Sequence, residues 1–465
     1  MNENAADQDV NWVHPWEYMA TAGNAARTTL SHGEGIYVYD DRGARMIDGP
    51  AGMWCTQIGY GRAEMAQAIA EQVTRLTYIN PFSLSAEPPA RLARKLASVA
   101  PGAMSQVFLT TGGTTAVETA LRFVHYYNNV LGRPAKKHII SRAGAYHGSS
   151  YLTGMVAGKD RDKSFLDISM PQAHLLSGVN PRLRPEGMSL EDFCTARVDE
   201  LEAKILEIGP DKVGAFIAEP VQASGGVIVA PDGYFRRVWE VCRKYDVLFI
   251  ADEVVTAFGR LGYWFASKEV FGVEPDLVTC AKGITSGYLP LGACLISDRV
   301  FAQVSGEQAQ GGTFAHGYTN SGHPVCSVAA LKNIEIMDRE ELLAHVREIA
   351  PYFQQRLHTL RDIPLVVDTR GMGLLGCVEC TVRGALDSGL SQAQLLALDT
   401  ELGARIDRHC QSLGLMLRPI VNLCVFSPAL IITKSQIDEM FDIMREGIVR
   451  TMHEVEQEMG YTLAL

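Results

Sequence analysis

No apolar run in this sequence of 465 residues approaches the roughly 20 residues that cross a bilayer. The nearest, Leu415 to Ile432, is interrupted by Arg418, Pro419, Asn422 and Pro428. Basic residues are short: 42 Lys and Arg stand against 53 Asp and Glu, and they form no stripe. A net charge of −11 therefore argues against a nucleic-acid partner, whose phosphates need clustered cations, and without a spanning run no membrane partner is expected. The opening MNENAADQDVNW has neither the cationic start nor the apolar core of a secretory signal, so a cytoplasmic protein is expected. Cysteine is sparse, ten residues scattered through a long chain, which fits reduced thiols rather than a disulfide framework. Cys377 and Cys380 have CxxC spacing, but GLLGCVEC reads as a strand, where residues three apart face opposite sides. No second pair completes a zinc site, and no metal is expected. Internal repeats, low-complexity tracts and Pro/Ser-rich linkers are also missing, so any domain boundary lies inside compact structure.

What is present is the composition of a globular protein, 47% hydrophobic and 20% charged, too long for one ordinary domain. Short apolar runs at His138–Ser141, Val213–Ala218, Val247–Ala251, Leu277–Ala281 and Leu291–Ile296 read as strands. Helical periods lie between them: Val117, Ala120, Leu121 and Val124 in one, Phe235, Val238, Trp239 and Cys242 in another. Continuous rather than alternating apolar strands indicate a sheet covered on both faces, hence an α/β fold with a largely parallel sheet. Beyond about Ala329 the texture changes. Long helical patterns at 328–360, 391–413 and 434–459 surround short strands near Val366, Leu374 and Cys424, as in a smaller α+β domain. The expected division is an N-terminal segment 1–55 packing with the small domain, a large domain 56–328 and a C-terminal domain 329–465.

Ligands of a parallel α/β sheet collect at the carboxyl ends of its strands. Three features fall at such ends. Thr110 to Thr115 (TTGGTT) follows an apolar strand and opens a helix; its glycines and the free N–H groups of a helix start suit a phosphate, although a plain helix cap would use the same residues. Asp252 ends a buried strand, where a carboxylate is costly without a cationic partner such as a protonated ring nitrogen; a helix cap or an ion pair is the alternative. Lys282 also ends a strand, just before Gly283, and a desolvated amine there can condense with an aldehyde. A phosphate anchor, a carboxylate for a pyridinium nitrogen and an amine for an aldehyde carbon are together what pyridoxal 5′-phosphate (PLP) requires.

Longer motifs sharpen this. IAEPVQ at 217–222, ADEV at 251–254 with FGR at 258–260, and AKGITSGYLPLGA at 281–293 are arranged in one order, with Lys282 thirty positions after Asp252. The sequence resembles the class III (ω) aminotransferases of the fold-type I PLP enzymes over nearly its whole length, and is closest in pattern to ω-amine:pyruvate aminotransferases. The resemblance implies a large mixed, mostly parallel sheet domain, a smaller α+β domain, and a homodimer or dimer of dimers with shared active sites. It implies that Lys282 carries PLP and moves the proton, and that Asp252 faces the pyridinium nitrogen. Gly113 and Thr114 would hold the phosphate, Tyr146 and Val254 would flank the ring, and His147 and Glu219 would complete the cofactor's surroundings. Thr319, in HGYTNSGHP, would reach the phosphate of a neighbouring subunit.

Departures from the family bear on substrate. Relatives that use 2-oxoglutarate commonly have Arg where this chain has Ser149, and a masking Glu where it has Ser224. A site for dicarboxylates is therefore not expected. Arg418 matches the arginine that binds a keto-acid carboxylate, with a structural ion pair as the alternative. Trp54 and Phe82 fall where amine-using members line the pocket with aromatics, against the competing explanation of core packing. Tyr146 and Ser224 would also border the substrate. The expected reaction moves an amino group from an amine or ω-amino acid to pyruvate. Diaminopelargonate, taurine or β-alanine aminotransferase, an aminomutase or a decarboxylating transaminase are the alternatives. Leu261 and Val255 depart from common family residues in ways that leave the reaction unaffected.

Overall fold

The apolar runs form a seven-stranded sheet in the order Gln106–Thr110, Gly292–Ile296, Leu277–Cys280, Leu248–Asp252, Val213–Ala218, His138–Arg142 and Ala173–Leu176. Strand Gly292–Ile296 is antiparallel to both neighbours, and every other pairing is parallel. The sheet comes from a computed structural model, which describes residues 11–22, 27–169, 171–309, 312–382 and 390–459. Segment 1–10, read above as free of a secretory signal, lies outside them.

The unbroken apolar strands have a direct cause. Ala215 and Ile217 belong to one core cluster and Phe216 and Ala218 to another, because successive strand residues point to opposite faces and both faces are covered. Helix Gly113–Val130 buries Val117, Ala120, Leu121 and Val124 in one of these cores. Helix Tyr234–Lys244 buries Phe235, Val238 and Cys242 in the other, with Trp239 half-buried beside them.

The C-terminal region is helical around a four-stranded antiparallel sheet, ordered Val366–Met372, Leu375–Cys380, Leu423–Phe426, Pro419–Ile420. Cys377 and Cys380 lie in one strand, and both are buried because both faces of that sheet are covered. The helical stretch expected at 328–360 is two helices, Pro324–Arg339 and Leu342–His358. Glu341 separates them in a left-handed conformation (φ 50°), which no helix continues through. Early strands Leu30–Glu34, Tyr37–Asp40 and Arg45–Asp48 form an antiparallel ladder, and Leu415–Met416 joins it parallel to the last. The two ends of the chain thus share a sheet, a pairing that no local pattern encodes. Among the described residues no helix is long and apolar enough to cross a membrane.

Candidate active site

Five parallel strands end on the same side of the large sheet, and the predicted residues follow them. Gly113 opens the helix after Gln106–Thr110, and Tyr146 and His147 follow His138–Arg142. Glu219 follows Val213–Ala218, Asp252 closes its strand, and Lys282 comes two residues after Leu277–Cys280. They converge on a cavity of about 460 Å³, within the usual range for a small-molecule site. Gly113, Thr114, Tyr146, His147, Glu219, Ser224, Asp252, Val254, Lys282 and Trp54 all line it.

Asp252 is 5% exposed, and its carboxylate accepts three hydrogen bonds. Nδ1 of His147 donates to Oδ2 at 2.7 Å; the Val254 N–H and the Thr279 hydroxyl donate to Oδ1 at 3.1 and 3.3 Å. Asp252 and Thr279 are register partners on adjacent parallel strands, so the sheet itself aims the carboxylate. With one ring nitrogen committed to Asp252, His147 leaves Nε2 buried and without a partner among the described residues. Glu219 accepts from the Tyr146 N–H at 3.0 Å, and burial raises its carboxyl pKa, opposed by nearby His147.

Lys282 begins a short 3₁₀ turn in a left-handed conformation, φ 45°. A non-glycine residue there is strained, and such strain persists only where surrounding structure fixes the side chain. Burial pulls the lysine pKa down, with Asp252 pulling back. Its ammonium lies 5.6 Å from the centre of the Trp54 ring, and the Arg418 guanidinium is the same distance from that ring. Trp54 is 4% exposed, with φ 63° after the irregular turn at Gly52 and Met53.

Two glycines shape the anion end. A Cβ at Gly113 would come within 2.9 Å of Val254 Cγ1, so only glycine lets the helix start reach that wall. At Gly148 (φ 128°) a Cβ would lie 2.9 Å from the Thr114 hydroxyl, which accepts a 3.4 Å hydrogen bond from the Ser149 N–H. The first N–H groups of helix Gly113–Val130 have no helical partner, and the helix dipole favours an anion beside them.

Phe82 and Thr319 stand elsewhere. Phe82 is 73% exposed, and its ring lies beside Gly317, two residues before Thr319. The Thr319 carbonyl accepts from the Tyr78 hydroxyl at 2.8 Å on the same exposed face. Neither residue lines the cavity of its own chain. Sequence reasoning missed Thr279, whose threonine in a buried apolar strand beside Asp252 was the available signal. It also missed Lys159, a lone lysine in a loop with no local pattern to mark it.

An enclosed amine, a carboxylate fixed by three donors and a helix start with a glycine-made gap face one cavity, and this set suits PLP in amine, ring-nitrogen and phosphate positions. Fold and cavity define a PLP enzyme of fold type I.

The family model described as Aminotransferase class-III matches residues 18–448. The putrescine–pyruvate aminotransferase of Pseudomonas aeruginosa is 39% identical over 426 residues, covering 91% of this chain and 90% of the relative. A probable γ-aminobutyrate transaminase of Oryza sativa subsp. japonica is 36% identical over 434 residues, 92% of this chain and 88% of the relative. The crystal structure of the ω-transaminase from Pseudomonas jessenii in complex with PMP superposes with a TM-score of 0.91 at 34% identity, covering 97% of this chain and 99% of the other. The chain belongs to the class III aminotransferase family: it is a transaminase, and its cofactor is PLP.

Proposed function

We propose that this transaminase moves the amino group of a primary amine or ω-amino acid to pyruvate. The observation that carries this reading is Arg418, a half-buried guanidinium over Trp54 with no carboxylate at ion-pair distance among the described residues. Burial lowers its pKa, a cost that an incoming carboxylate would offset. Ser149 bonds the Tyr146 hydroxyl at 2.8 Å and Ser224 bonds Lys159; both serines are neutral, so neither can pair directly with the second carboxylate of a dicarboxylate acceptor. The donors named by the two relatives, putrescine and γ-aminobutyrate, and the pyruvate named by one of them, support the same reading.

In this reading Lys282 Nζ would hold the cofactor and, as a free amine, would move the proton taken from the amine-bearing carbon. Asp252, steadied by His147 and Thr279, would hold the ring nitrogen, and Glu219 sets Tyr146 through its backbone. Bound PLP supplies the sink for the electron pair left by that proton. Gly113, Thr114 and the helix start would bind the phosphate, while Tyr146 and Val254 would hold the ring between them. Trp54 shapes the substrate end, and Arg418 orients the keto acid by its carboxylate.

Phe82 and Thr319 act in the partner's site, so the working unit is a homodimer or a pair of such dimers. Ten unbridged cysteines support a cytoplasmic setting. Arg418→Leu is expected to raise the KM for pyruvate by roughly 10- to 100-fold, from the loss of charged hydrogen bonds, with the amine half of the reaction retained. An unchanged KM for pyruvate contradicts the assignment.

A further inference from the structure

Lys159 lies behind the cavity wall that Ser224 forms. Its ammonium donates to both the carbonyl and the hydroxyl oxygen of Ser224, each at 2.6 Å. The Ser224 hydroxyl therefore uses a lone pair on Lys159 and keeps its own O–H for the cavity that it lines. Lys159 has no carboxylate at ion-pair distance among the described residues. The charged groups that act on it are Glu219 and Asp162, of opposite sign, and Arg161 and Arg418, of like sign. The two carboxylates are committed elsewhere, Glu219 to the Tyr146 N–H and Asp162 to Arg161 at 3.1 Å. The other cation near the substrate end, Arg418, is equally without a carboxylate at ion-pair distance among the described residues. Burial lowers the pKa of both. Two under-neutralised cations, one over Trp54 and one bonded to Ser224, thus stand behind residues that line the cavity; with the Ser224 hydroxyl free to donate there, they favour an anion and repel a second ammonium.

We propose that Lys159, acting through Ser224, is a specificity-determining residue that selects donors whose far end is a carboxylate, the ω-amino acids, over donors whose far end is another ammonium, the α,ω-diamines. This deepens the reading of the cavity as the donor site of a transaminase and rests on it. It also separates two donor classes that the chain's relatives divide between them. Lys159 itself is a positioning residue: it orients and polarises the Ser224 hydroxyl and supplies the field, and it takes no part in proton transfer.

The test uses the PLP-loaded enzyme with saturating pyruvate and three donors: γ-aminobutyrate, putrescine, and 1-phenylethylamine as the uncharged reference. The wild-type kcat/KM for γ-aminobutyrate is expected to exceed that for putrescine by roughly tenfold or more, the size of one charged hydrogen bond. Lys159→Met should lower the ratio of γ-aminobutyrate to putrescine by a similar factor, mainly through KM, with each donor normalised to the reference. Lys159→Arg should restore much of it, and Ser224→Ala should shift it in the same direction as Lys159→Met. Visible absorbance of bound cofactor reports that each variant is folded and loaded. A wild type that prefers putrescine, or a ratio unmoved by Lys159→Met while all donors fall together, overturns the proposal alone. A loaded enzyme that transaminates none of the three donors overturns the transaminase donor site on which it stands.

Discussion

Lys282 is the residue on which strand geometry, backbone strain and electrostatics meet. Its left-handed φ aims the side chain into the cavity, and burial makes its charged form costly, so a larger share of the amine is neutral at a given pH than for a free lysine. An amine attacks an aldehyde only when neutral. The sign follows: a lowered pKa moves cofactor capture toward lower pH. When the cofactor-free protein is mixed with PLP, the capture rate should rise with pH and reach half its maximum below the ordinary lysine value of about 10.4. Lys282→Ala should show no covalent capture at any pH. A half-rise at or above the ordinary value contradicts the desolvated amine. Thr279 shows the complementary point at this scale: Asp252 and His147 were visible in sequence, but this further support comes from the neighbouring strand.

Among the elements, the link between the large sheet and the C-terminal region runs through the Phe258-Gly259-Arg260 turn. Arg260 is fully buried, and its guanidinium donates to the carbonyls of Pro428 at 2.5 Å and Leu374 at 3.3 Å. Burial lowers its pKa to about 9, so the arginine is held at a cost. Arg260→Leu leaves two carbonyls unpaired in the interior, a loss of about 3 kcal/mol, and should lower the thermal midpoint of the loaded enzyme by roughly 5 °C. An unchanged midpoint would mean that this turn does not join the two regions. The elements were largely legible in sequence because a sheet covered on both faces writes itself as unbroken apolar runs; Val213–Ala218 and helix Lys434–Met459 fall where their patterns put them. The break at Glu341 was not, since it lies in backbone conformation rather than in apolar period. Nor was the joining of Arg45–Asp48 to Leu415–Met416, which depends on contacts more than 360 residues apart. In the site, residues in long motifs at strand ends were found; Lys159, which acts from a loop through another side chain, was not.

For the whole molecule, one face exposes Phe82, Leu84 and Tyr78, with the Tyr78 hydroxyl bonded to Thr319, an apolar cluster suited to cover by a second copy of the chain. The loaded enzyme should sediment at about twice the mass of the 50.8 kDa chain, or at a multiple of that dimer. Phe82→Asp with Leu84→Asp should yield monomers of much lower activity; a fully active monomer would rule out a site completed across subunits. The central claim, amino transfer from an amine to pyruvate, is tested most directly by competition. The loaded enzyme is given 1-phenylethylamine with equal concentrations of pyruvate and 2-oxoglutarate, and the amino acids formed are quantified. Alanine should exceed glutamate by at least about tenfold, because Arg418 can pair with one carboxylate directly, while Ser149 is neutral and Lys159, already bonded to Ser224, pairs with no second one. Glutamate as the main product would contradict the account.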